Sequence, residues 1–382
     1  MPMATGAPTT MEAGRLMPEL VAARGLAAVW VVLAHTLAQT LRGHAPLPEA
    51  VEYTRLVVDF FFVLSGFVLA HVYDPAWRAG RFRYLDFLSR RLARLYPLHL
   101  ATLLAVAVLV GAGAALGLAP VNAHDGWGFV ATLLLLHSTW ATDDLAWNWP
   151  SWSVSAEWCA YLAIPAFFLA ADRVKGTRVR IVVGLGLFVL CSAVASFFLG
   201  HQLVSLTFDG GAFRIVPSFF AGILLRRIFE EEPSLLAMTP RSYALIVAGV
   251  FGVCGVLVAL NAPYDALWPA MVVLVAALAS RATWTEPGVL RGPILAWLGE
   301  LSYAIYLTHA IVLQALFAAA KILGVSDQLW QRALVGGLAV PTTLLASYVA
   351  YRIVEKPGRG VMARLLQRKP SATSAAAAPR TD

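Results

Sequence analysis

Charged residues are scarce in this chain. Asp, Glu, Lys and Arg make up 13% of its 382 residues, against about a quarter in soluble globular domains. With 59% hydrophobic residues and a mean hydropathy of +0.71, the chain is excluded from the ordinary water-soluble class. Cysteine is scarcer still. Cys159, Cys191 and Cys254 each fall in an apolar run, show no CxxC spacing and are odd in number. A disulfide framework and a structural zinc site are both excluded on that count. His44, His71, His99, His124, His137 and His201 show no metal-ligand spacing with Asp, Glu or Cys, so no metal is assigned. No basic domain interleaved with aromatics is present, which argues against a nucleic-acid partner. The first nineteen residues lack a basic region followed by a short apolar core and a cleavage site. The first span is then expected to act as its own uncleaved insertion signal. No internal repeat is visible.

What is present is a series of apolar runs of the length that crosses lipid, about 17–25 residues. They lie at 19–40, 52–73, 95–118, 151–172, 181–200, 211–229, 242–260, 265–281, 295–320 and 333–354. The run at 128–140 is short and leads into the acidic, tryptophan-rich stretch ATDDLAWNWP. Basic residues set the sidedness. Arg78, Arg81, Arg83, Arg90, Arg91 and Arg94 fill the segment 74–94. Arg173, Lys175, Arg178 and Arg180 follow at 173–180, Arg226, Arg227 and Arg241 at 226–241, and six more Lys or Arg between Arg352 and Lys369. The positive-inside rule places all of these, and both termini, in the cytoplasm. Between 94 and 173 only two full crossings fit, so 128–140 is expected to enter from the outer face and return to it. The predicted fold class is an all-α polytopic membrane protein of about ten transmembrane helices plus one re-entrant or interfacial element. Its expected organisation is a cytoplasmic N-terminal segment at 1–18, a membrane domain at 19–357, and a basic, then Ala/Pro-rich, disordered cytoplasmic tail at 358–382.

The chemistry lies in the polar residues that interrupt these runs, since ionisable groups within spans are rare and tend to mark function. Arg24 and His35 stand eleven residues apart on the first span, nearly a whole number of helical turns. They share a face and sit roughly 16 Å apart along the axis. Alone, Arg24 would read as a side chain snorkelling to the headgroups, and His35 as a ring near the outer interface bonded to a carbonyl; the shared face favours function. Ser153, Glu157 and Tyr161 recur every four residues behind Pro150, which suits a helix start. Glu157 fits a structural ion pair, or a carboxylate that orients a histidine or holds a substrate hydroxyl. Ser302, Tyr306 and His309 fall on one helix face and serve interhelical hydrogen bonding and a functional surface equally well. Asp59, near an outer end, reads as solvated, and Gly66 beside Ser65 as a site of close helix packing. In the segment 82–95, Phe82, Leu85, Leu88, Leu92 and Leu95 form a stripe, while Arg83, Arg90 and Arg94 share another face with Arg91 beside them. This reads as an amphipathic helix on the inner leaflet. Its arginines meet anionic lipid or, alternatively, a phosphate-bearing ligand.

Taken in order, these pieces resemble the integral-membrane acyltransferase 3 family. The resemblance rests on the Arg24-x10-His35 pair, FFVLSGF on the second span, RLARLYP with Arg91 and Arg94, WSVSAE with Glu157, and SYAIYLTH on a late span. It covers about residues 19–357, without the fused extracellular hydrolase-like domain of longer members.

The resemblance implies a membrane O-acyltransferase that moves an acyl group, by default acetyl, from cytoplasmic acyl-CoA to a hydroxyl of an extracytoplasmic carbohydrate or similar acceptor. Arg90, Arg91 and Arg94, with Arg24, would hold the coenzyme phosphates. His35 would act as general base or carry the acyl group transiently, and Glu157 would orient His35 or the acceptor. Ser65, Ser153, Tyr306 and His309 would line the substrate cavity. The implied location is the cell inner (plasma) membrane, with lipid and the acceptor as partners and the oligomeric state undetermined. Two rivals remain open: a transporter or flippase using Arg24, His35 and Glu157 as a substrate or proton path, and a scaffold whose basic helix docks on anionic lipid. A transporter often shows repeated halves and paired broken helices, and the sequence shows neither.

Overall fold

In the computed structural model, residues 17–117, 124–145, 147–281, 288–325 and 327–366 are described. All regular structure among them is helical, and the α-helices of eight residues or more are α1 (Pro18–Leu41), α2 (Leu56–Arg78), α3 (Tyr84–Ala115), α4 (Gly126–Leu133), α5 (Trp152–Leu162), α6 (Ile164–Arg173), α7 (Thr177–Val194), α8 (Gly211–Glu231), α9 (Pro240–Ala259), α10 (Trp268–Arg281), α11 (Pro293–Ile322), α12 (Leu329–Ala350) and α13 (Lys356–Leu366). Eight described helices are long and apolar enough to cross a membrane, or nine if α5 and α6, bent by 60°, make one span. The chain is an all-α polytopic membrane protein. The bend falls at Ala163 beside Pro165, whose ring removes a backbone donor. The run expected at 211–229, which falls outside those nine, is helical too, as α8. It carries Arg214, Arg226 and Arg227, is buried over most of its length, and packs against α2, α5 and α7 rather than facing outward.

Ion pairs gather the basic segments at one end of the bundle. Arg227 joins Asp74 at the end of α2 to Asp172 at the end of α6, each at 2.8 Å. Arg78 reaches Glu230 at 2.9 Å, Arg180 binds Glu231, and Arg291 reaches Glu19 at the start of α1 at 2.6 Å. These pairs put the C-terminal ends of α2, α6 and α8 beside the N-terminal end of α7. At the far end, α4 has only 8 residues, about 12 Å of helix, too short for a crossing of about 30 Å. The segment closes on itself. Trp147 Nε1 donates to the Asp125 carbonyl at 3.1 Å and Trp127 Nε1 to that of Ala141 at 2.6 Å.

Three sequence expectations change. The arginine segment is no separate surface helix, because α3 runs unbroken from Tyr84 through Pro97 to Ala115 and Arg91 is buried. Asp59 is not solvated; it is 1% exposed and pairs with the equally buried Arg214 at 2.6 Å. The helical domain extends past 357, since a π-helical turn at Tyr351–Glu355 leads directly into α13. The expected N-terminal segment lies outside the described residues except for its last two, and so does the tail beyond 366.

Candidate active site

The site begins with a close helix crossing. Leu26, Trp30, Leu33 and Leu37 on α1 face outward, while Ala22, Gly25, Ala28 and Val32 are buried. A Cβ on Gly25 would stand 2.6 Å from the backbone of Gly299 on α11. Absence of that carbon lets the two backbones touch and sets the inner face of α1 against α11. Arg24 and His35 lie on α1, and Ser302, Tyr306 and His309 lie on α11.

A cavity of about 440 Å³ opens among these helices, with Arg24 on its wall. Ser65 from α2, Arg91 and Arg94 from α3, and Ser153, Glu157 and Tyr161 from α5 also line it. From α11 come Ser302, Tyr303 and Tyr306, and Arg359 enters from α13. Glu157 Oε1 accepts from Ser65 Oγ at 2.6 Å. Arg94 is held by Glu355 at 2.5 Å and lies over the Tyr303 ring at 4.8 Å; Arg359 shares the same carboxylate. Arg24 has neither a hydrogen bond nor an ion pair among the described residues, and the nearby charges that act on it are Arg94, Glu157 and Glu355. Among the described residues no carboxylate binds Arg91. Its guanidinium packs over Tyr73 and Tyr161 at 5.8 and 6.0 Å, and its Nε is buried without a partner. The wall at the basic end thus holds two guanidinium groups with capacity for an anion, and tyrosine rings flank that of Arg91. Arg90 is exposed and does not line the cavity.

His35 does not line this cavity. It faces a second, smaller one of about 190 Å³, shared with Ala38, Gln39, Arg42 and Trp149. Its ring stacks on that of His309 with centroids 5.4 Å apart and meets Trp149 edge-on at 4.6 Å. Tyr306 touches His309 at 5.8 Å, and its hydroxyl accepts from Ser153 Oγ at 2.9 Å on the cavity side. The order across the bundle is therefore His35, His309, Tyr306, then the large cavity. No bond joins Glu157 to His35.

Trp149 reaches this place because the far-end segment is pinned from below. Asn148 Nδ2 donates to Thr102 Oγ1 at 2.9 Å. Ser151 Oγ donates to the Asn148 carbonyl and so accepts from His137 Nε2, at 2.9 Å. The left-handed backbone at Leu135, Trp140 and Trp147 costs about 1–3 kcal/mol at each residue unless such anchors hold it. The sequence reading missed Trp149, Glu355 and Arg359. WNWP offered a signal for the first, and a glutamate four residues before an arginine for the others. Among the described residues no group of three His, Cys, Asp or Glu side chains could hold a metal ion.

Apolar spans thus surround a cationic cavity with a histidine pair beyond its Tyr306 wall. The profile of a family described as an acyltransferase domain, Acyl_transf_3, matches residues 18–352, and the chain belongs to this family. It is 29% identical over 392 residues to acyltransferase MdmB of Streptomyces mycarofaciens, covering 96% of each chain. It is 24% identical over 324 residues to a putative peptidoglycan O-acetyltransferase, YrhL, of Bacillus subtilis, covering 79% of this chain and 50% of that protein. An 80-residue stretch is 45% identical to protein 2 in the picA locus of Rhizobium radiobacter, covering 21% of this chain and 38% of that protein. No solved structure matches. The chain is thus a multi-pass membrane O-acyltransferase.

Proposed function

We propose that the large cavity receives acyl-CoA from the basic end, that the small cavity receives the hydroxyl acceptor, and that His35 acts as general base between them. The observation carrying this reading is the pair Arg24 and Arg91, two cavity-wall cations without bound carboxylates on the way to the His35–His309 stack. Coenzyme phosphates would satisfy them, while the pantetheine arm would carry the thioester past Tyr306 to meet the hydroxyl beside His35. A positive-inside arrangement makes the basic end cytoplasmic, where acyl-CoA is found. Arg94, already committed to Glu355, frames the mouth, and Arg90 drops out as a phosphate ligand. Glu157 holds Ser65 and offsets Arg24 instead of orienting the imidazole. The acceptor is an extracytoplasmic carbohydrate or similar hydroxyl compound, acetyl is the default acyl group, and the compartment is the plasma membrane.

The test is transfer of label from acetyl-CoA to glycans, lipid-linked sugars and small hydroxyl compounds by purified protein. Base catalysis typically contributes 10²–10⁴-fold, roughly the loss expected for His35→Ala. Wild-type protein that labels none of these acceptors, or a His35→Ala variant with wild-type rate, overturns the reading.

A further inference from the structure

The family profile ends at residue 352, yet the helix beyond that point reaches the large cavity. A π-helical turn at Tyr351–Glu355 leads into α13. Such turns are rare and are frequently found at functional sites. Glu355, at the end of this one, is fully buried, and Arg359 stands about one helical turn further on, in the cavity wall. A Cβ on Gly358 would stand 2.6 Å from that of Pro97 on α3. The missing carbon seats α13 directly on α3, just past Arg94.

Charge at this junction does not balance. Arg94 and Arg359 both donate to Oε1 of Glu355, whose Oε2 is buried without a partner among the described residues. One carboxylate offsets only one of the two guanidinium charges. Glu300, which also lines the cavity, is exposed and bonds to neither arginine. Arg359 uses only Nη2 on Glu355. Its Nη1 and Nε make no hydrogen bond among the described residues, and Nε is buried. A guanidinium held out of water is costly unless its charge and its donors are both met. An anion with several acceptor oxygens meets both, and this guanidinium lines the same cavity as Arg24 and Arg91.

We propose that Arg359 is a coenzyme-phosphate contact, so that α13 completes the acyl-CoA site from beyond the family domain. This inference rests on the acyl-CoA reading above. Glu355 is a positioning residue: one N–H of Arg359 is held on its carboxylate, and the remaining donors serve a phosphate of the coenzyme. Charge-assisted bonds from a guanidinium suit that group. Loss of Arg359 leaves the buried carboxylate still paired with Arg94.

The test compares acetyl-CoA with S-acetylpantetheine, which has the same thioester and arm but no phosphate. Arg359→Gln removes the charge and keeps an amide N–H for Glu355. With acetyl-CoA, KM of this variant should rise about tenfold or more at a kcat within about threefold of wild type, the pattern of binding lost equally from ground and transition states. With S-acetylpantetheine its KM should match that of wild type. A purely structural role for Arg359 predicts the same change with both donors. Wild-type protein gives a second measurement that needs no variant. Saturating CoA should slow amide hydrogen exchange across Lys356–Leu366 by about threefold or more, and pantetheine should not. Equal changes with both donors, an unchanged KM for acetyl-CoA, or exchange in this helix that CoA leaves unaltered or that pantetheine slows equally each overturns the role of Arg359 alone. Wild-type protein that transfers acetyl from neither donor overturns the acyl-transfer reading, and this inference with it.

Discussion

At the scale of single residues, the interior separates charges that hold the molecule together from charges left available. Asp59 is fully committed. It accepts from Arg214 Nη2 at 2.6 Å and Ser218 Oγ at 3.0 Å, and Trp268 Nε1 donates to that serine at 2.7 Å. Arg214 also donates to the Leu206 and Arg55 carbonyls and packs over Trp152. Removing one partner of such a pair leaves the other buried and uncompensated, at a typical cost of about 3–5 kcal/mol. Asp59→Ala should therefore lower the thermal unfolding midpoint in detergent sharply, and reduce activity only in proportion to folded protein. An unchanged midpoint would remove Arg214–Asp59 as a structural clamp. Arg24 and Arg91 are the opposite case, with neither bound to a carboxylate among the described residues, and that difference is the ground for proposing them as ligand contacts.

Individual helices explain how far these residues can be brought together. The α1–α11 crossing depends on Gly25 and Gly299 lacking side chains, each pressed against the backbone of the other helix. Gly25→Val should cost about 1–3 kcal/mol, as overpacked interiors generally do. It should also lower transfer activity by separating His35 from His309. Gly111→Ala is the matched control. A Cβ there meets nothing within 4 Å, and replacing helical glycine by alanine gains roughly 0.5–1 kcal/mol. Midpoints and transfer rates of the two variants check both expectations. The segment between α3 and α5 has its own anchor in Asn148, whose Nδ2 donates to Thr102 Oγ1 on α3 and to the Leu307 carbonyl on α11, next to Trp149. The sequence marked this segment as anomalous by its short length, its acidic, tryptophan-rich continuation and the basic residues on either side of it. Its anchors were illegible, because Thr102, His137 and Asn148 are unremarkable until the loop folds back.

For the molecule as a whole, the small cavity borders His35, the large one ends at Tyr306, and His309 lies between the two side chains. A ligand that binds only the folded state stabilises it by about 2.7 kcal/mol at a hundred times its Kd. Acetyl-CoA should therefore raise the unfolding midpoint of wild-type protein. Arg91→Ala should abolish most of that gain, while Arg90→Ala, at an exposed site outside the cavity, should keep it. Equal losses in both variants would assign the effect to general surface charge.

Sequence alone determined the spans, the one-sided basic clusters, the shared faces of Arg24 with His35 and of Ser302 with Tyr306 and His309, and the family resemblance. These are local or periodic properties, written in the 3.6-residue repeat and in hydropathy over a window of lipid thickness. Tertiary structure decided which faces meet. It separated Arg90 from Arg91 and Arg94, paired Asp59 with Arg214 across 155 positions, brought Arg359 to the cavity wall, and set His309 between His35 and Tyr306. Such pairings depend on crossing points fixed by small residues and on buried groups finding partners far along the chain, and neither leaves a periodic trace in the sequence.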